Sequence, residues 1–168
     1  MSDWVVEQTG LVYNREERAR RDATPWTLVQ GLLAPIQFVV FLISLALVLR
    51  TLITSEGAEW AGWSVVIKTL TLYAIMVTGA IWEKVVFGQY LFARPFFWED
   101  MVSMLVIGLH TAAVVAWFLG EQWLSLEEQL WLALAAYAAY VINAAQFLYK
   151  LRLARREQSM HMGTEVMG

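Results

Sequence analysis

The chain has 168 residues, enough for one domain, and 59% of them are hydrophobic against 16% charged, where soluble domains average roughly 45–50% and 25%. That balance excludes an ordinary soluble enzyme and points to an integral membrane protein. The absence of cysteine excludes disulfide frameworks and thiolate metal sites, and with a net charge of −3 and basic residues concentrated in short termini, no face is left for nucleic acid.

Residues 1–25 read as a polar N-terminal arm: Met1–Gly10 has neither the basic flank nor the apolar core of a signal peptide, and Arg15, Arg18, Arg20 and Arg21 follow. Four apolar segments come next, at about Trp26–Leu49, Trp63–Phe87, Phe97–Leu119 and Leu124–Tyr149. Each is near the ~20 residues that carry a helix across ~30 Å of hydrocarbon. Their short connections, Arg50–Gly62, Gly88–Pro95 and Gly120–Trp123, predict an antiparallel up-down bundle. The expected fold is thus an all-α integral membrane protein: a four-transmembrane-helix domain over 26–150 and a polar tail over 151–168. Asp22 or Thr24 can cap the first span with Pro25 in its first turn, and Ser125 with Glu128 forms a capping box for the fourth. Pro35 should kink the first span.

Ten of the twelve Lys and Arg residues lie before Trp26, after Tyr149 or, as Lys84 and Arg94, in the hairpin that joins the second and third spans. By the positive-inside rule both termini and the middle connection are cytoplasmic. Trp60, Trp63, Trp123 and Trp131 then fall at the outer surface and Trp26, Trp82 and Trp98 at the inner one, as an aromatic belt does.

Polar groups inside a bilayer are paired or functional. Gln30, Glu83, Glu99 with Asp100, and Asn143 with Gln146 bring amides and carboxyls from all four spans to one depth in the inner leaflet. For Gln30, Gln37 and Asn143 the plain alternative is an inter-helix hydrogen-bond clasp. Gln30, Ala34, Gln37, Phe41 and Ser44 share one face of the first span, and Glu99, Ser103 and His110 one face of the third. His110 lies about 16 Å deeper than Glu99, where a neutral imidazole can ligate a metal or bond another helix. Lys68 is expected to snorkel outward, and His161, in a Met-rich tail with Met160, Met162 and Met167, to be solvated. No phosphate loop, HExxH or GxSxG motif occurs.

The densest chemistry lies between Ile81 and Asp100, which holds Glu83, Glu99 and Asp100, the cations Lys84 and Arg94, and seven aromatic rings. That composition suits a site that holds a flat apolar ligand and acts on it. The runs Ile81-Trp-Glu-Lys-Val-Val-Phe-Gly-Gln-Tyr-Leu-Phe-Ala, Phe96-Phe-Trp-Glu-Asp-Met-Val-Ser-Met and Leu109-His-Thr resemble the 3-vinyl hydratases of bacteriochlorophyll biosynthesis, also called 2-vinyl bacteriochlorophyllide or chlorophyllide a 3¹-hydratases. Asp22-Ala-Thr-Pro-Trp-Thr-Leu-Val-Gln-Gly and Tyr140-Val-Ile-Asn-Ala-Ala-Gln-Phe are similar to that family as well, so the likeness spans roughly residues 20–155. At Arg94-Pro95 the order differs from the Ala-Pro expected of the family, which touches only the local turn.

The resemblance implies a hydro-lyase adding water to the C3 vinyl group of a Mg chlorin, in the inner photosynthetic membrane of a bacterium with its active side facing the cytoplasm. It carries over motif positions and no residue roles. The chemistry needs a proton donor, a base or water-positioning group, and shelter for a delocalised cation. Glu99 and Asp100, adjacent and at the membrane edge, meet the conditions that keep a carboxyl protonated, with Glu83 joining them across the hairpin. Trp82, Tyr90, Phe96, Phe97 and Trp98 can stack on the macrocycle, Lys84 or Arg94 can meet its propionate, and Gln30 and Asn143 line the same depth. His110 can be an axial ligand to the substrate's Mg, and no cofactor of the protein's own is implied. The partners implied are the Mg chlorin, the lipid bilayer, and a second copy or neighbouring enzymes of the pathway. A non-catalytic pigment-binding or assembly subunit is the alternative reading. It would use the rings and His110 without needing three carboxylates. A small transporter would want polar groups on both sides of the midplane.

Overall fold

The computed structural model describes residues 12–166, and of residues 158 and 160–166 the backbone alone. It is all-helical: α1 (Arg15–Ala23), α2 (Pro25–Thr54), α3 (Ala58–Phe87), a 3-10 turn (Arg94–Phe96), α4 (Phe97–Leu119) and α5 (Leu126–Val166). Four of these helices are long and apolar enough to cross a membrane.

Local sequence accounts for most boundaries. Thr24 caps α2, its hydroxyl accepting from the Trp26 N–H at 3.4 Å, with Pro25 in the first turn. Ser125 and Glu128 form the expected box before α5, with the Ser125 N–H donating to Glu128 at 2.8 Å and the Glu128 N–H to Ser125 at 3.3 Å. α1 was not anticipated. Its signal was the box Asn14-Arg-Glu-Glu17, in which Asn14 and Glu17 cap each other.

Two connections differ from expectation. The expected break over Arg50–Gly62 shrinks to three residues between α2 and α3, because Ser55 (φ 59°) and Gly57 (φ 81°) both turn through the left-handed region. α5 continues far past Tyr149 to a length of 41 residues. The run Leu151–Gln158 holds good helix formers and no breaker. The side chains of His161, Met160 and Met162, and all of Met167, fall outside the described residues.

Packing is closest between α2 and α3 and between α4 and α5. Along the first pair Gln30 meets Thr78 and Ser44 meets Ser64. Ser44 also bonds Tyr137 of α5, and Tyr73 bonds Thr111 of α4. Phe41, Val48, Val65, Leu72, Val106 and Tyr137 fill the core, while Leu, Ile and Phe side chains cover the outside of the four helices. Ala34, expected on the inner face with Gln37 and Phe41, is exposed.

Lys68 corrects the sequence expectation. It does not snorkel: it is fully enclosed, with Nζ 3.6 Å from the Tyr140 ring centroid and 6.0 Å from that of Phe41. Its place on α3 turns it inward, so stem length cannot bring it out.

Candidate functional site

The end of the bundle that carries the hairpin also gathers the start of the described chain and residues 150–157 of α5. The Val12 N–H donates to Glu157 at 3.1 and 3.2 Å, Arg20 Nε to the Val86 carbonyl at 2.8 Å, and Lys150 Nζ to the Pro95 carbonyl at 2.6 Å.

Gly88, at φ 86°, ends α3 in the left-handed region, as a helix C-cap requires of a residue without Cβ. The chain then turns back through Phe92, a second left-handed residue at φ 59° and one with a bulky side chain. That turn aims two successive amides inward. Phe92 N–H donates to Asp100 Oδ2 at 2.6 Å, and Ala93 N–H to Glu83 Oε2 at 3.2 Å. The two carboxyls so held lie beside each other, and both are buried.

Glu99 turns elsewhere. Its Oε1 lies 3.6 Å from Lys150 Nζ, and its Oε2 has no protein partner. The carboxyl pair is therefore Glu83 with Asp100 across the hairpin, where the sequence favoured the adjacent Glu99 and Asp100. Neighbours on a helix diverge by about 100°, so adjacency separates them.

The remaining expected residues fall into three groups. Trp82 is inside: its indole N–H donates to Thr27 at 2.9 Å, and its ring meets Phe87 and Phe96 edge-on at 5.8 Å. Gln30 and Asn143 are engaged in clasps, Gln30 Nε2 to Thr78 at 2.7 Å and Asn143 to both the Glu99 carbonyl (2.9 Å) and Ser103 (3.1 Å). Tyr90, Phe97 and Trp98 are exposed, as are Lys84 and Arg94. Lys84 Nζ donates to the Gly88 carbonyl at 2.7 Å and sits 5.3 Å from the Tyr90 ring. His110 is fully enclosed, with Nδ1 donating to the Val106 carbonyl at 2.8 Å.

Sequence reading missed the cap over this end. Tyr13 stacks on Phe87 (5.8 Å, 9°) and meets Trp82 and Phe96, with the Arg21 guanidinium 4.9 Å from its ring. Burial pushes its phenol up to about 12, against the opposing pull of Arg21. Lys150, read only as an orienting charge, ties α5 to the hairpin through Glu99 and Pro95. The sequence offered no signal for these contacts beyond a Tyr and a Lys near the spans.

Comparison with known proteins bears on this site. A family model described as 2-vinyl bacteriochlorophyllide hydratase matches residues 13–153. A curated 2-vinyl bacteriochlorophyllide hydratase of Rhodobacter capsulatus is 63% identical over 157 residues, covering 93% of this chain and 90% of the relative. One of Cereibacter sphaeroides is 65% identical over 144 residues, 86% and 88% of the two chains. No solved structure matches. The matched region takes in Tyr13, the hairpin and the carboxyl pair.

Proposed function

The chain belongs to the 2-vinyl bacteriochlorophyllide hydratase family, and from that premise we propose that the paired carboxyls of Glu83 and Asp100 deliver the proton that starts water addition to the vinyl group. The protein is a hydro-lyase that converts the vinyl substituent to a 1-hydroxyethyl group.

The observation that carries this reading is the pair itself, pinned by the Phe92 and Ala93 amides. Two neighbouring buried carboxyls at such a site share a proton, because like charges so close and out of water are not both ionised. The proton goes to the terminal vinyl carbon, which becomes the methyl group. The cation left on the inner carbon delocalises into the macrocycle, and water attacks there. Glu99, with Oε2 free, takes the proton that the attacking water loses, so the acid pair is restored by one proton transfer. Atoms balance as one vinyl group plus one water.

The chlorin lies against the exposed rings of Tyr90, Phe97 and Trp98, with Lys84 and Arg94 beside them for its propionate. Because Glu83 and Asp100 are enclosed, the vinyl group reaches them only as hairpin residues part. The Mg is the substrate's own, and a chlorin placed here is too far from His110 for that residue to ligate it, at about 16 Å along α4 from Glu99. No cofactor enters the scheme.

The setting is an antiparallel up-down bundle in the bacterial inner membrane with the hairpin end in the cytoplasm. Residue pairs Gln30–Thr78 and Ser44–Ser64, which run in opposite directions along α2 and α3, and the basic residues gathered at the hairpin end support it. A second copy or neighbouring pathway enzymes are expected partners, drawn from the family's place in the pathway.

The test is hydration of vinyl pigment by membranes holding the full chain, read by mass and by the blue shift of the long-wavelength band. Gain of one water, lost in Asp100→Asn and Glu83→Gln, is the expected result. Pigment that copurifies unchanged in mass would overturn the reading and leave a binding subunit.

A further inference from the structure

Among the described residues five buried side-chain atoms have no protein partner: Gln37 Nε2, Lys68 Nζ, His110 Nε2, Gln146 Oε1 and Glu99 Oε2. Lys68 stands over Tyr140, one helical turn from Asn143, and the His110 ring is 5.7 Å from that of Tyr137. Gln37 lies one turn along α2 from Phe41, which also meets Tyr140. Towards the hairpin end Ser103 and Asn143 join α4 to α5 through the Glu99 carbonyl, and Glu99 and Gln146 belong to those two helices. Gln37, Lys68, His110 and Glu99 are each at least nine-tenths buried.

The chemistry of the free atoms selects the occupant. Lys68 and Gln37 offer donors. His110 donates through Nδ1 to Val106, which leaves Nε2 of the neutral ring an acceptor, and Gln146 Oε1 and Glu99 Oε2 accept as well. An anion would leave the acceptors unserved and a cation the donors. Water serves both, and a buried water needs two to four polar partners.

We propose that these groups hold a file of water molecules running from Lys68 and His110 in mid-bundle to the Glu99 carboxylate. As the source of the water added to the vinyl group the file rests on the hydratase reading; its existence does not. It gives Glu99 a water on the protein side of a site whose other side is covered by apolar pigment.

X-ray hydroxyl-radical footprinting of the full chain in lipid nanodiscs tests this, because radicals form from water and mark side chains beside it. Tyr140 and Phe41 should be oxidised severalfold faster than Phe96, a ring equally buried but packed among Tyr13, Trp82 and Phe147, after correction for ring reactivity. Lys68→Met and Gln37→Leu should each slow that labelling. Tyr140 and Phe41 as slow as Phe96 would overturn the file even if the variants do not fold. Fast labelling unchanged in folded variants would overturn the assignment to these side chains. A chain labelled as expected that adds no water to pigment would remove the hydratase reading and leave the file standing.

Discussion

Asp100 accepts the backbone N–H of Phe92 at 2.6 Å, and Phe92 makes that bond from a left-handed conformation, φ 59°. A bulky residue there costs about 1–2 kcal/mol, which the hairpin tolerates while aiming two amides at the two carboxyls. Substitutions separate conformation from donor. Phe92→Pro removes the N–H and forbids the angle, so hydration should be lost along with thermal stability. Phe92→Gly keeps both and should retain most activity. Loss of activity in Phe92→Gly, with pigment still bound, would show that the ring rather than the amide matters.

If Glu83 and Asp100 act as one proton-sharing unit, their removal should not be additive. Asp100→Asn and Glu83→Gln should each lower the hydration rate by about 10²–10⁴-fold, the usual worth of general acid catalysis. The double variant should be no slower than the worse single one. Initial rates of product formation at saturating pigment decide it, and multiplying losses would mean two independent roles.

Lys150 reaches both the Pro95 carbonyl at 2.6 Å and Glu99 at 3.6 Å. Lys150→Met should cost about 2 kcal/mol, the scale of a charged hydrogen bond lost, seen as a lower Tm in detergent. Lys150→Arg should recover part of it by keeping the charge. The Met variant should also slow hydration, because Glu99 loses its anchor.

Packing on α2 and α3 gives a contrast independent of chemistry. A Cβ at Gly62 would run into the Trp117 indole, whereas one at Gly31 meets nothing. Gly62→Ala should lower stability by about 1–3 kcal/mol, and Gly31→Ala should leave it equal or slightly higher. Thermal unfolding of both in one detergent checks the order.

The cap should fail in alkali. Tyr13 has its phenol raised by burial to about 12, from an ordinary value of 10. A folded value above the unfolded one favours the neutral form in the folded state, so the contribution is complete below pH 10 and is lost as pH rises from about 10 to 12. Two units correspond to about 3 kcal/mol at most. Tyr13→Phe should flatten stability over that window, and a slope that persists in the variant would place the titration elsewhere.

The sequence by itself determined the four long apolar helices, the caps at Thr24 and Ser125, and the family, because apolar length, capping pairs and long motifs are local properties of the chain. It also singled out the hairpin as the stretch where the motifs that resemble the family and the carboxyls coincide. Only the tertiary structure decided which of those carboxyls meet. Pairing depends on how helices rotate about their axes and on where a turn aims its amides, and neither is written in composition or spacing. For that reason Asp100 turned to Glu83 and not to its neighbour Glu99, Lys68 lay inside and not at the surface, and Tyr13, seventy residues from Glu83, came to cover the site.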